Sequence, residues 1–169
     1  NCDWSSDVCS SDLEAYDLMK RVAGLQGSAM ADVLRIWNDS EELSSFLVEI
    51  TEVCLRATDP ESGTDLVELI VDAAGQKGTG LWTVESALTM GVPVPTIYAA
   101  LNARVLSSLR TQRIAAEPLL TVPAGPAFDL GTPANGMEPL CDACILACIA
   151  SYAQGMALLQ AASALHNYD

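Results

Sequence analysis

The chain is poor in positive charge. Eight Lys and Arg residues stand against 22 Asp and Glu, for a formal charge of −14. That excludes nucleic acid and anionic membrane surfaces as main partners, since both require a basic face. The scarcity also makes each cation worth examining: Lys20, Arg21, Arg35, Arg56, Lys77, Arg104, Arg110 and Arg113. Any anionic ligand must use some of these, or backbone amides. Histidine occurs once, at His166, with no Cys or Ser at a recognisable catalytic spacing. It reads as structural or solvent-facing.

Long apolar runs are also missing. The most apolar stretch, residues 144–150, is soon interrupted by Ser151 and Gln154, whereas a membrane span needs about 20 apolar residues. No membrane association is therefore expected. The first residues are polar and acidic, unlike a signal peptide. Six cysteines at positions 2, 9, 54, 141, 144 and 148 do not form the dense framework of a small secreted domain. The expectation is a cytoplasmic protein with reduced thiols.

What is present is enough for one domain. Half of the 169 residues are apolar, which allows a real core. Residues 1–13 stand apart. They read NCDWSSDVCSSDL, repeat Ser-Ser-Asp and show no helical or strand period. The string resembles the translation of a sequencing adapter joined to a truncated gene. It is expected to be non-native and disordered, and such scars are set aside in fold reasoning. The last residues, His166 to Asp169, carry no helix-stop signal, which suggests truncation there too. Residues 14–169 would then be a partial helical domain.

From Glu14 onward the helical period dominates. Tyr16, Met19 and Val22 make one stripe. Met30, Val33, Leu34 and Trp37 make another, with Ser28 as its expected cap. Leu43, Phe46, Leu47, Ile50, Val53 and Cys54 make a third, continuing to Ala57. A loop follows at 59–63, then a short helix from Leu66 that stops at Gly75. Helices are expected at 82–90, at 96–120 as one long element, and at 138–165, with a Pro- and Gly-rich loop at 121–136. No segment alternates with period two for long enough to be a strand. The expected fold class is all-α.

Glycines at 75, 78 and 80 flank Lys77 and Thr79. Such a loop can present successive amides as a concave anion nest, especially just before a helix. It is neither a Walker A loop nor a Gly-x-Gly-x-x-Gly fingerprint. Spacing alone leaves a plain interhelical loop and an anion site both open.

Longer stretches narrow the choice. Ala74-Gly75-Gln76-Lys77-Gly78-Thr79-Gly80-Leu81-Trp82-Thr83, Ser86-Ala87-Leu88, Gly91-Val92-Pro93-Val94-Pro95 and Ala103-Arg104-Val105-Leu106-Ser107-Ser108-Leu109 closely resemble the 6-phosphogluconate dehydrogenases. So do Trp37-Asn38, the run from Leu43 to Thr51, and Ser151-Tyr152-Ala153-Gln154-Gly155, in the same order. The resemblance implies a fragment of an all-helical substrate-binding and dimerisation domain. The enzyme it implies is NADP-dependent and metal-free, and oxidatively decarboxylates 6-phosphogluconate to ribulose 5-phosphate as a homodimer. NADP would be bound by an amino-terminal domain, and the catalytic Lys and Glu would lie upstream of this chain. The resemblance assigns Lys77, Thr79 and Arg104 to the substrate phosphate. Two positions depart from the family pattern: Leu81 and Cys148 stand where Lys is usual. The alternatives are a stand-alone helical anion-binding module and a different β-hydroxyacid dehydrogenase.

Two further signals were weighed. Cys141, Cys144 and Cys148 have metal-like spacing, but they also fall on one face of a helix, where small thiols pack well. Burial without metal is expected. Arg110 and Arg113 lie one turn apart and read as a solvated face.

Overall fold

The computed structural model describes residues 14–75, 78–120 and 129–168. The expectation for residues 1–13 therefore lies outside the described residues. Among those described there is no β-strand; the one pairing is an isolated bridge between Thr58 and Asp65. The all-α expectation holds. The helices are α1 (residues 14–21), α2 (Gly27–Asn38), α3 (Phe46–Arg56), α4 (Thr79–Met90), α5 (Pro95–Ser108), α6 (Arg110–Ala116) and α7 (Glu138–His166). Short 3-10 turns occur at Leu66–Leu69, Glu117–Leu119 and Pro133–Asn135.

The chain divides into two compact units. The first contains residues 14–71 and 129–146. Its centre is α2, whose apolar positions bury Met30, Ala31, Val33, Leu34 and Trp37. The helix begins two residues earlier than a Ser28 cap would give. Gln26 is the N-cap, no side chain caps it, and Ser28 lies inside the first turn. Gly27 explains the start. A Cβ there would stand 2.9 Å from the Leu55 carbonyl and 2.7 Å from Asp65 Oδ2, so only glycine lets α2 approach α3 this closely.

The third stripe is split. Leu43 is buried in the turn, but α3 begins only at Phe46, because Ser45 takes the cap position and accepts from the Val48 amide. Asn38 Oδ1 accepts from the Ser45 amide and fixes the turn between the two helices. The expected helix from Leu66 to Gly75 does not form. Four residues make a 3-10 turn, and Ile70 and Val71 are exposed extended chain. An apolar run without a packing surface does not sustain a helix this short.

Trp37 ties this unit together. It is 2% exposed, and its Nε1 donates to the Gly136 carbonyl at 2.6 Å. Gly136 adopts φ +68° as the cap of the Pro133–Asn135 turn, and a Cβ there would meet Ile36 Cγ2 at 2.9 Å. Thr132 and Asn135 bond each other across that turn.

The second unit contains residues 72–120 and 147–168. Its core is Val84 and Ala87 from α4, Val94, Ile97 and Leu101 around α5, and Leu158 from α7. Pro95 opens α5, where its missing N–H costs nothing. Gln154 of α7 completes that cap. Its Oε1 accepts from the Thr96 amide at 3.0 Å and its Nε2 donates to Thr96 Oγ1 at 2.7 Å. The expected single helix over 96–120 is broken. Leu109 leaves helical geometry at ψ +43°, α6 is a separate helix, and Pro118 lies in the 3-10 turn that follows.

Helix α7 passes, by length and composition, the test for a helix able to cross a membrane, which the sequence reading did not anticipate. Of its cysteines, Cys144 is buried while Cys141 and Cys148 are half-buried, so the burial expected for all three holds only at Cys144. Burial, together with the carboxylates of Asp142, Glu42 and Glu138, raises the Cys141 thiol above its ordinary range.

Two outcomes follow. Trp37→Phe removes the donor and leaves the Gly136 carbonyl without its partner, a loss of about 1–3 kcal/mol of stability, to be measured by urea denaturation. Alkylation resolved by peptide mass spectrometry should label exposed Cys54 before Cys141, whose thiolate is disfavoured, and Cys144 last. Equal labelling of Cys144 and Cys54 in the native protein would contradict this packing.

Candidate functional site

In the second unit, three positions before and after the glycine loop lie close to α5 and α6. Arg113 of α6 donates to Asp72 Oδ2 at 2.8 Å and to the Asp72 carbonyl at 2.7 Å. The Ala74 amide donates to Ser107 Oγ at 2.9 Å. A Cβ built on Gly80 would stand 3.7 Å from Leu101 Cδ1. Residues 72, 74 and 80 thus lie by residues 113, 107 and 101 respectively.

Arg104 sits between the last two anchors. Leu101, Arg104 and Ser107 are spaced three apart and occupy successive turns of α5. Arg104 is half-buried. Thr79 is the first residue of α4 and is half-buried as well. Lys77 lies outside the described residues. Of the three residues assigned by resemblance, the fold therefore brings the helix start bearing Thr79 onto the helix bearing Arg104.

The beginning of α4 is chemically suited to an anion. Its N-cap, Gly78, adopts φ +105°, a region unfavourable to residues with a Cβ. A Cβ there would also press on Trp82 Cζ2 at 3.3 Å. The first intrahelical bond runs from the Trp82 amide to the Gly78 carbonyl. The amides of Thr79, Gly80 and Leu81 precede it and have no intrahelical acceptor. No acidic residue occupies that first turn, notable in so acidic a chain, and the helix dipole adds positive potential there.

Five other cations pair with carboxylates. Lys20 pairs with Glu68, Arg21 with Asp17, Arg35 with Asp39, Arg56 with Asp32 and Glu52, and Arg113 with Asp72. Hydrogen bonds from Lys20 and Arg56 hold Glu68 and Asp32 below the ordinary carboxylate range. These five cations are already committed to carboxylates.

The solvated-face reading of Arg113 is corrected. Besides Asp72, its guanidinium donates to the Ser107 carbonyl at 3.0 Å, and its Nε is buried without a hydrogen-bond partner. Sequence spacing pointed to Arg110 and Arg113 as a pair and could not show that the helix breaks between Ser107 and Arg113. Gln154 and Ser151 were also legible only as part of a motif. Ser151 is buried and donates to the Ala147 carbonyl, while Gln154 caps α5. Both are packing residues. Leu81, one of the two departures, lies on α4's first turn and is 36% exposed; nothing in the structure explains the change from Lys.

A family model described as 6-phosphogluconate dehydrogenase, C-terminal domain, matches residues 10–169. The chain is similar to the decarboxylating 6-phosphogluconate dehydrogenase of Synechococcus elongatus, 52% identical over 92% of this chain and 33% of the relative. It is 40% identical to the NADP(+)-dependent, decarboxylating enzyme of Bacillus subtilis, again over 92% of this chain and 33% of the relative. A solved Plasmodium falciparum 6-phosphogluconate dehydrogenase, studied in apo form, with NADP+ and with 6-phosphogluconate, superposes with a TM-score of 0.86 at 32% identity. That match covers 98% of this chain and 35% of the other. The chain spans about one third of the length of these relatives. With the glycine loop, α4 and α5 in the order and packing described, it belongs to the 6-phosphogluconate dehydrogenase family and represents its C-terminal helical domain.

Proposed function

We propose that this chain is the substrate-binding part of a cytoplasmic, NADP-dependent 6-phosphogluconate dehydrogenase. In that reaction the sugar acid gives up a hydride, loses carbon dioxide and leaves ribulose 5-phosphate. The observation that supports the reading is that the α4 amino terminus lies by Leu101 of α5, the helix that carries Arg104 one turn later, within a chain of this family. A phosphate near charge −2 is best held by charge-assisted donors in a fixed array. Lys77, the Thr79 hydroxyl, the first amides of α4 and the Arg104 guanidinium are the donors this chain offers. Arg supplies a planar fork, Lys a mobile point charge.

NADP would be held by a segment outside this chain. The glycine loop here follows extended chain rather than a strand, and lacks the dinucleotide spacing. When bound, the nicotinamide accepts the hydride; the residues of this chain bind and orient the sugar phosphate.

A second copy of the chain is the proposed partner. On α7, Ile149, Tyr152, Met156 and Leu159 are between 47% and 59% exposed and recur at three- and four-residue spacing, forming one apolar stripe. Such a stripe suits burial against another apolar surface.

The purified 169-residue chain should show no turnover with 6-phosphogluconate and NADP, because the hydride acceptor's domain and the family's acid–base pair are not matched in it. Turnover by the chain alone would refute this division of labour. In an enzyme completed with the flanking segments of the Synechococcus elongatus relative, Arg104→Met should weaken 6-phosphogluconate binding. A lost charge-assisted bond is worth about 1.5–3 kcal/mol, or about one to two orders of magnitude in affinity. The check is the ratio of Michaelis constants for 6-phosphogluconate and unphosphorylated gluconate. An unchanged ratio would sink the phosphate assignment.

A further inference from the structure

We infer that Arg113 is a positioning residue for the anion site, acting by clamping residues 72–74, which lead into the glycine loop, onto the junction of α5 and α6. The inference rests on the phosphate reading of Thr79 and Arg104 and extends it to a residue that reading does not use.

The clamp is assembled from unmatched groups. Where α5 ends, Leu109 departs from helical geometry, and the carbonyls of the last turn lose their intrahelical donors. Among them is that of Ser107, to which Arg113 donates at 3.0 Å. The segment entering the glycine loop is not helical, so the Asp72 carbonyl also needs a donor. The same guanidinium supplies it at 2.7 Å and holds the Asp72 carboxylate at 2.8 Å. One planar group therefore joins the end of α5, the start of α6 and the start of the loop segment. Two residues further on, the Ala74 amide donates to Ser107 Oγ. Ser107 is held twice, by its carbonyl to Arg113 and by its hydroxyl to Ala74. Since Arg104 lies one turn before Ser107, the clamp fixes Ala74, at the entry to the glycine loop, relative to α5 and needs no contact between Arg113 and the anion.

Only Arg can do this. Lys carries one nitrogen and cannot span two carbonyls and a carboxylate in fixed directions. Arg113→Lys should keep the ion pair with Asp72 and lose one or both carbonyl bonds. Asp72→Asn should do the reverse: it lowers the ionic part and keeps the bond to the Asp72 carbonyl. This milder change serves if Arg113→Met does not fold.

The test uses the 169-residue chain with two readouts. Amide hydrogen exchange followed by NMR reports the Ala74 amide, and titration with 6-phosphogluconate reports affinity, with melting temperature and far-UV circular dichroism as fold controls. In Arg113→Met, or in Asp72→Asn to a smaller degree, Ala74 exchange should rise about tenfold or more while amides in the middle of α7 keep their rates. Affinity for 6-phosphogluconate should fall about tenfold, and Arg113→Lys should restore part of each. Unchanged Ala74 exchange would overturn the clamp. Faster exchange with unchanged affinity, in a chain where Arg104→Met does lose affinity, would overturn the positioning role and leave the phosphate reading standing. Absence of binding by the unaltered chain, or binding indifferent to Arg104→Met, would overturn the phosphate reading and this inference with it.

Discussion

The geometry of the second unit depends on how one guanidinium satisfies two stranded carbonyls. A helix that stops leaves acceptors bare, and so does a segment that runs extended beside it. At the α5–α6 junction both problems occur within a few ångströms. Arg113 meets them together, and its charge is balanced by Asp72. Its buried Nε is left without a partner, a cost of about 1–3 kcal/mol for such a group that the three bonds made by the terminal nitrogens offset. The chain spends one of only eight cations here, where a net charge of −14 makes each valuable.

That junction sets the register of everything before it. Asp72 is held at α6 and Ala74 at Ser107, and Gly80 lies beside Leu101. Gly78, at φ +105°, is the N-cap, and α4 starts at the next residue. The core then takes over: Val84 and Ala87 pack with Ile97 and Leu101, and burial of each larger side chain contributes about 1.5–3 kcal/mol. The amides at the start of α4, which have no intrahelical acceptor, thus sit between this core and the Ala74–Ser107 bond.

The helical class, most of the helix positions and the glycine loop could be read from the sequence, because apolar spacing at α2 and α3 and glycines at 75, 78 and 80 act locally. Boundaries decided by tertiary contact could not. Ser28 looks like a cap, but Gly27 is where α2 can come close to the Leu55 carbonyl, so the helix starts there. The stretch 96–120 has an unbroken apolar period; its break at Leu109 depends on Arg113 and Asp72, 41 residues apart in sequence. The segment after Leu69 carries Ile70 and Val71 in a helical pattern with nothing to pack against. Motif resemblance located Thr79 and Arg104 without showing what orders them. The bonds that join Arg113, Asp72, Ala74 and Ser107 span distances that no periodicity records.

Helix α7 shows the same division between pattern and partner. Its apolar residues surround the axis. One face, with Cys144, Ser151, Gly155 and Leu158, is buried, while Ile149, Tyr152, Met156 and Leu159 are exposed. A helix apolar all round is interior to something. Lipid fits poorly with the buried face, where Gln154 bonds both the amide and the hydroxyl of Thr96 and Ser151 returns its hydroxyl to the helix backbone. Those groups belong to a face packed on α5, where Leu158 joins Ile97 and Leu101 in the core, while the opposite face keeps its apolar stripe in the open.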